Sequence, residues 1–413
     1  MKMAMQKKIL MVVMDGLGDR SNKEIGGKTP LQAVDTPNFD WFVKNGMSGI
    51  CDVVAPGTKP GSDTAHLSIL GYDPREVYTG RGPFEAAGIG VIGQRGDVAF
   101  RCNFATSDDN FMISDRRAGR IKEPDTTELI EALQGIEIDG VEVIVGKGTE
   151  HRAALLLRGP GLSPEVTDAD PECFGTVLES VGKVPEAQFT ADIVNKFVKM
   201  SYDILKDHPV NKKRKAEGLL PGNILLPRGA GSFPEIDPFP EIHGIKSACV
   251  AGVGMIKGIC GVCGLDVLDL PEGCTGGADS DFVLKAKTAL EALEEYDFIL
   301  MNCKAPDVCG HDGDVELKCE VVKRLDEMAG YIRENMPENL VLVFTADHST
   351  PCTVKDHSAD PVPITVYSDD VVVDDAVKYS ESGCAAGSMG RIKGFDIVPI
   401  CMDLANRNEK YGA

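Results

Sequence analysis

The chain carries one tryptophan in 413 residues, and aromatic side chains make up 6% of it. It is short of positive charge, with 43 Lys and Arg against 64 Asp and Glu, for a formal net charge of −21. That balance excludes a general nucleic-acid or membrane-surface binder, which needs a basic face. It also sets a constraint: an anionic substrate has to be met by basic residues or cations gathered locally, against an unfavourable overall field. Long apolar runs are missing as well. Residues 9–14 form one, ended by Asp15, too short for a signal-peptide core or a bilayer span. There is no internal repeat and no low-complexity tract.

What is present suffices for a large core. Hydrophobic residues make up 43% of the chain, which excludes disorder, and the length allows two domains or one large domain with an insertion. Thirteen cysteines, an odd number without a secretory leader, predict free thiols and a cytoplasmic protein. Cys260 and Cys263 have the spacing of a redox or zinc pair, yet no second pair stands at a matching distance. Gly258, Gly261 and Gly264 around them favour tight helix packing.

Short apolar runs alternate with helical patterns, the signature of an α/β protein with a mainly parallel sheet. Residues 9–14, 247–253, 298–302, 340–345 and 364–366 read as buried strands. Residues 281–293 and 315–328 read as amphipathic helices, the first capped by Asp279 or Ser280, with a loop over 273–277. Between them the texture changes. The Arg-bearing turn Ser114-Asp115-Arg116-Arg117-Ala118-Gly119-Arg120 and a lysine-rich helix end over 208–215 lie in this middle region. The economical arrangement is a discontinuous domain, 1–72 with 246–413, and a smaller inserted α/β or α+β domain, 73–245, acting as a substrate-binding lid.

Three strand ends deliver an aspartate each. Asp15-Gly16 follows 9–14, Asp307-Val-Cys-Gly-His311 follows 298–302, and Asp347-His348 follows 340–345, with His357 nine residues further on. Residues just past the carboxyl ends of strands line the ligand crevice of an open α/β sheet. Carboxylates and imidazoles together suit Mn²⁺ or Zn²⁺ better than Mg²⁺ or Ca²⁺, and the set is large enough for two ions. Ser62, in Lys59-Pro60-Gly61-Ser62-Asp63-Thr64-Ala65-His66-Leu67, stands where a helix begins. There a hydroxyl either caps the helix or faces an anion held by free backbone N–H groups.

In order and spacing these motifs, with Pro271-Glu-Gly-Cys-Thr-Gly-Gly277, Lys304-Ala-Pro-Asp307 and Asp356-His-Ser-Ala-Asp-Pro-Val-Pro363, resemble the archaeal-type 2,3-bisphosphoglycerate-independent phosphoglycerate mutases of the alkaline phosphatase superfamily. The resemblance implies an alkaline-phosphatase-like domain with helices on a mainly parallel sheet. It implies interconversion of 3- and 2-phosphoglycerate in glycolysis and gluconeogenesis through a phosphoserine at Ser62. Two divalent ions serve the reaction, Mn²⁺ first and Zn²⁺, Co²⁺ or Mg²⁺ behind it, and 2,3-bisphosphoglycerate takes no part. The implied ligand sets are Asp15, Ser62, Asp347 and His348 for one ion, and Asp307, His311 and His357 for the other. Two departures stand out: Val308-Cys309 replaces acidic and small residues frequent in the family, and Asn302 replaces a common histidine.

A substrate carboxylate calls for a planar bidentate donor. Arg116, Arg117 and Arg120 are candidates, as are Arg152 and Arg228; each is open to a plain surface reading. His151 offers a proton shuttle, and Lys257 follows the Gly-rich turn 252–256, where it can reach phosphate. The nearest rival function is a metal-dependent phosphomonoesterase with the same serine and ions. A non-catalytic metal-stabilised scaffold stands further off. The sequence leaves the oligomeric state open.

Overall fold

The computed structural model describes residues 5–410 and 412. The chain divides into two compact units, Met1–Val77 with Ile236–Ala413, and Tyr78–Glu235.

In the first unit the apolar runs become strands because their side chains are buried on both faces, as a covered parallel sheet requires. Its strands are β1 (Lys8–Met14), β2 (Met47–Asp52), β3 (Ser247–Val250), β4 (Asp266–Val267), β5 (Phe298–Cys303), β6 (Leu340–Thr345), β7 (Val362–Tyr367) and β8 (Gly390–Lys393). They form one sheet in the order β4-β3-β5-β1-β6-β7-β2-β8. Only β7 runs antiparallel to its neighbours. Central β1 places Ile9 opposite both Phe298 and Val341. The helices that matter for the site are α1 (Ser62–Ile69), α2 (Gly254–Val262), α3 (Phe282–Ala292), α4 (Ala305–Asp312) and α5 (Val315–Asn335).

The structure changes several expected details. The strand expected over 247–253 stops at Val250, and Val253 becomes the N-cap of α2. The cap of α3 is Asp281, whose carboxylate accepts from the Leu284 N–H at 2.8 Å. Asp279 instead accepts from the Thr275 hydroxyl, which removes it as the cap. Helix α5 runs on to Asn335 because Ala329 and Ile332 continue its buried stripe. Cys260 and Cys263 are buried free thiols; a hydrogen bond with Cys249 and then burial raise the first above the ordinary thiol range, and burial raises the second.

The second unit is α+β. Strands Val98–Ser107, Arg152–Arg158, Val141–Lys147 and Ile224–Ser232 pair antiparallel around the first of them. The amphipathic helix Gln188–Leu205 covers their core. The lysine-rich stretch is a complete short helix, Pro209–Ala216, capped by His208. Its Arg214 is buried, bonded to Asp125 at 2.7 Å and to the Leu220 carbonyl at 2.9 Å. Among the described residues no helix is long and apolar enough to cross a membrane.

Candidate active site

Ser62 is the first residue inside α1, and Gly61 occupies the cap position. The Thr64 hydroxyl takes the Gly61 N–H at 3.1 Å, so the cap needs nothing from Ser62. Its Oγ turns elsewhere, 3.1 Å from His348 Nε2 and 3.2 Å from Lys304 Nζ. Asp15 leaves the end of β1 and Asp347 leaves β6, one strand over, and both are fully buried. The Gly16 N–H donates to Asp347 Oδ1 at 3.0 Å. Gly16 has φ +67, and a Cβ there would sit 2.6 Å from the Asp307 backbone. Only glycine allows the loop after β1 to pass so close to α4.

Asp307 sits in the first turn of α4, directly past β5, and is the point where the imidazoles converge. His311 Nε2 and His357 Nε2 each lie 3.4 Å from its Oδ1. Their other ring nitrogens face backbone carbonyls, His311 Nδ1 on Lys355 at 3.2 Å and His357 Nδ1 on Pro60 at 2.8 Å. A carbonyl only accepts, so Nδ1 carries the proton in both rings and Nε2 offers a lone pair towards Asp307 when the ring is neutral. His348 is fixed by the same logic. Thr350 Oγ1 donates to Asp307 Oδ1 at 2.7 Å, which leaves it to accept from His348 Nδ1 at 3.0 Å. When the ring is neutral, His348 Nε2 therefore presents its lone pair to Ser62. The His348 and His357 rings stack with centroids 3.6 Å apart.

This donor set fits divalent cations. Asp347 Oδ2 is buried without a hydrogen-bond partner, and an unpaired buried carboxylate oxygen calls for positive charge. Two groups of donor atoms each lie within 4.8 Å of one another: Asp15, His66 and Asp347, and Asp307, His348 and His357. His348 reaches both, with Nε2 3.6 Å from Asp15 and 3.1 Å from Asp347 and Nδ1 3.9 Å from Asp307. His311 also approaches Asp307, but its side chain is 41% exposed. Burial raises the Asp15 carboxyl, and neighbouring Asp347 raises it further. Burial also works upward on Asp347 and Asp307, yet His348 on the first, and His357 with Lys304 on the second, hold both well below the usual carboxylate range.

Three residues in the site carry no role in the sequence reading. Lys304 Nζ lies 2.8 Å from Asp15 Oδ1 and 2.8 Å from Asp307 Oδ2. Asn302 Nδ2 donates to Asp15 Oδ2 at 3.1 Å and to His66 Nε2 at 3.2 Å. With His66 Nδ1 on the Ser62 carbonyl at 2.8 Å, both ring nitrogens of His66 are engaged, and the ring buttresses the turn that carries Ser62. The available signal was position: 302 and 304 flank the end of a buried strand three residues before an assigned aspartate. Lys257 lies in the first turn of α2, which packs against α1. Its ammonium has no hydrogen bond or ion pair among the described residues.

In the second unit, Arg101 and Arg228 are paired opposite each other on adjacent strands, and Arg152 opposes Asn103 on the other side. With a side-chain period of two, the three arginines share one face. Burial lowers the Arg101 guanidinium, and Arg228 and Arg81 lower it further. Arg228 is partly neutralised by Glu172 and by Asp170 at 3.7 Å, and the positive charge that remains on this face suits an anion. Arg101 went unnamed in the sequence, although an arginine inside Val98-Ala-Phe-Arg-Cys-Asn-Phe is a visible exception. Arg116 spends its fork on buried Asp170, at 2.9 and 3.3 Å, and on the Glu172 carbonyl at 2.6 Å, which leaves it poorly placed to read a substrate. His151 is held below its ordinary range by burial first and then by Arg152 and Arg117, with Arg120 adding to them. Its Nδ1 is buried without a hydrogen-bond partner.

The fold and site define an open-sheet α/β protein with a serine, three aspartates and four histidines gathered at the strand ends. The profile of the family described as 2,3-bisphosphoglycerate-independent phosphoglycerate mutase matches residues 43–211. A mutase of that name from Methanococcus maripaludis is 50% identical over 98% of this chain and 100% of its own. One from Methanocaldococcus jannaschii is 48% identical over 98% and 99%. Among solved structures, a protein from Pyrococcus horikoshii superposes with a TM-score of 0.86 at 38% identity, covering 99% of this chain and 100% of that one. The cofactor-independent phosphoglycerate mutase of Thermoplasma acidophilum does so at 0.75 and 37%, covering 97% and 100%. The chain belongs to the 2,3-bisphosphoglycerate-independent phosphoglycerate mutase family, and is an isomerase.

Proposed function

We propose that this enzyme interconverts 3-phosphoglycerate and 2-phosphoglycerate by passing the phosphoryl group through Ser62, with two divalent ions, Mn²⁺ first among them, and without 2,3-bisphosphoglycerate. The observation that carries the reading is the Ser62 hydroxyl, released from capping and aimed between His348 Nε2 and Lys304 Nζ, in a chain half identical to named mutases. Asp15, Ser62, Asp347 and His348 are assigned to one ion and Asp307, His311 and His357 to the other. Bound there, such ions neutralise phosphoryl charge and lower the pKa of the serine hydroxyl.

The protein's own part is as follows. Ser62 Oγ attacks phosphorus; the Oγ–P bond forms as the bond from phosphorus to the glycerate oxygen breaks. The proton lost by the serine matches the one gained by that oxygen, and we assign the exchange to His151, which its lowered pKa keeps neutral at pH 7. The neighbouring hydroxyl of glycerate then attacks phosphoserine and restores Ser62. Capture of the glycerate carboxylate falls to Arg101, Arg152 and Arg228, with Arg117 and Arg120 beside His151, and the 78–235 unit is thereby the substrate-binding part of the chain. Lys257 is a further phosphate contact.

The test is an enolase-coupled assay with 3-phosphoglycerate and Mn²⁺, free of bisphosphoglycerate. Absorbance from phosphoenolpyruvate is expected, together with its loss in Ser62→Ala at an unchanged melting temperature. Inorganic phosphate as the dominant product would instead establish a phosphomonoesterase.

A further inference from the structure

Lys304 follows the last residue of β5 and is the N-cap residue of α4, so it enters the site from the same turn that delivers Asp307. Its ammonium touches three groups: Asp15 Oδ1 and Asp307 Oδ2 at 2.8 Å each, and Ser62 Oγ at 3.2 Å. The first two belong to different donor groups, so a single amine bridges both halves of the cluster. Its side chain is 17% exposed. An ammonium has three N–H donors and no acceptor. Two donors go to carboxylates, and the third points at the serine oxygen, which itself has His348 Nε2 on another side.

We propose that Lys304 is a catalytic residue of the transfer: it donates a hydrogen bond to the phosphoryl group carried on Ser62, from an ammonium held in place by Asp15 and Asp307. The inference rests on Ser62 being the nucleophile. Once Oγ is esterified, its non-bridging oxygens extend into the space around it, and a donor 3.2 Å from Oγ is within reach of one of them. The two carboxylates hold the amine without motion, so the bond costs little reorganisation as charge develops. No proton is transferred; Lys304 stays an ammonium throughout. Because Lys304 shares the Asp15 and Asp307 carboxylates with any divalent ion they bind, it competes with that ion for their negative charge. A residue that merely built the metal site would do the opposite and strengthen ion binding.

That contrast supplies the test. Lys304→Met and Lys304→Gln are compared with the wild-type enzyme by steady-state kinetics at saturating Mn²⁺ and by calorimetric titration with Mn²⁺. For either folded variant, kcat is expected to fall about 30-fold or more while KM for 3-phosphoglycerate stays within about threefold, the pattern of a bond made in the transition state. Mn²⁺ is expected to bind as tightly as to wild type or tighter. A kcat within about threefold of wild type overturns the proposal. So does weakened Mn²⁺ binding whose activity loss is restored by more Mn²⁺, because Lys304 then acts only through the ions. Mass spectrometry separates the two readings: absence of phosphate on Ser62 in wild type during turnover, with Ser62→Ala still active, removes the nucleophile assignment itself. Phosphate on Ser62 with full activity in Lys304→Met removes the lysine alone.

Discussion

Lys318 is fully buried, yet every direction its ammonium faces is occupied. It bonds Asp19 Oδ2 at 2.9 Å and the carbonyls of Gly16, Gly18 and Thr350 at 3.0, 3.2 and 2.9 Å. Those partners belong to the loops after β1 and β6, so one lysine on α5 ties together the segments carrying Asp15, Asp347 and His348. Lys285 does similar work below β5, on the carbonyls of Thr275 and Asn302. Removing one partner of a buried ion pair leaves the other uncompensated. Lys318→Met is therefore expected to lose about 3–5 kcal/mol of unfolding free energy in urea titration, with Mn²⁺ binding weakened alongside. Unchanged stability would show that the loops hold themselves. Both lysines lie on the buried stripes of their helices, and the sequence reading assigned neither a role.

At the scale of elements, Asp374 joins β2 to the approach of β8. Its carboxylate accepts from the N–H groups of Ser48 at 2.6 Å, Ser388 at 2.8 Å and Ala376 at 2.9 Å. Burial works upward on this carboxyl, but the three N–H donors outweigh it and depress the pKa. A folded-state pKa below the unfolded one contributes stability above the unfolded value, near 4 for aspartate, and loses it as pH falls through the folded value. Asp374→Asn is expected to cost about 1–3 kcal/mol at pH 7 and progressively less below about pH 4, followed by thermal unfolding across that range. None of this was legible in the sequence, where Asp374-Asp375 is an ordinary polar turn. The buried strands were legible, because a run such as 9–14 has no second interpretation in an alternating α/β pattern. So were Asp15, Asp307 and Asp347, which stand directly past such runs. Arg101 and Arg214 escaped because their meaning comes from partners distant in the chain, and single-chain spacing carries no record of those. The cap of α3 was missed by a residue or two, where Asp279, Ser280 and Asp281 all have capping chemistry and only the Thr275 bond separates them.

For the whole molecule, a net charge of −21 opposes the approach of phosphoglycerate, while Lys304, Lys318 and Lys285 supply positive charge locally at or beneath the site. Long-range repulsion is screened by salt, and buried contacts much less so. Hence kcat/KM is expected to rise between low ionic strength and about 0.15 M, where the screening length is about 8 Å, with kcat steady. Initial rates over a potassium chloride series check it, and a steep fall would mean that the arginine face of Arg101, Arg152 and Arg228 dominates the encounter. The sheet order carries one more consequence. Strand β1 lies between β5 and β6, so this strand, made long before either neighbour, waits for both of them until residue 345 has been made. The Val98–Ser107 sheet finds all its partners within the contiguous 78–235 stretch. During vectorial synthesis the second unit therefore closes first, while the apolar 9–14 segment remains an unpaired strand in need of shelter, and a nascent chain released early would carry a finished second unit beside an unfinished first one.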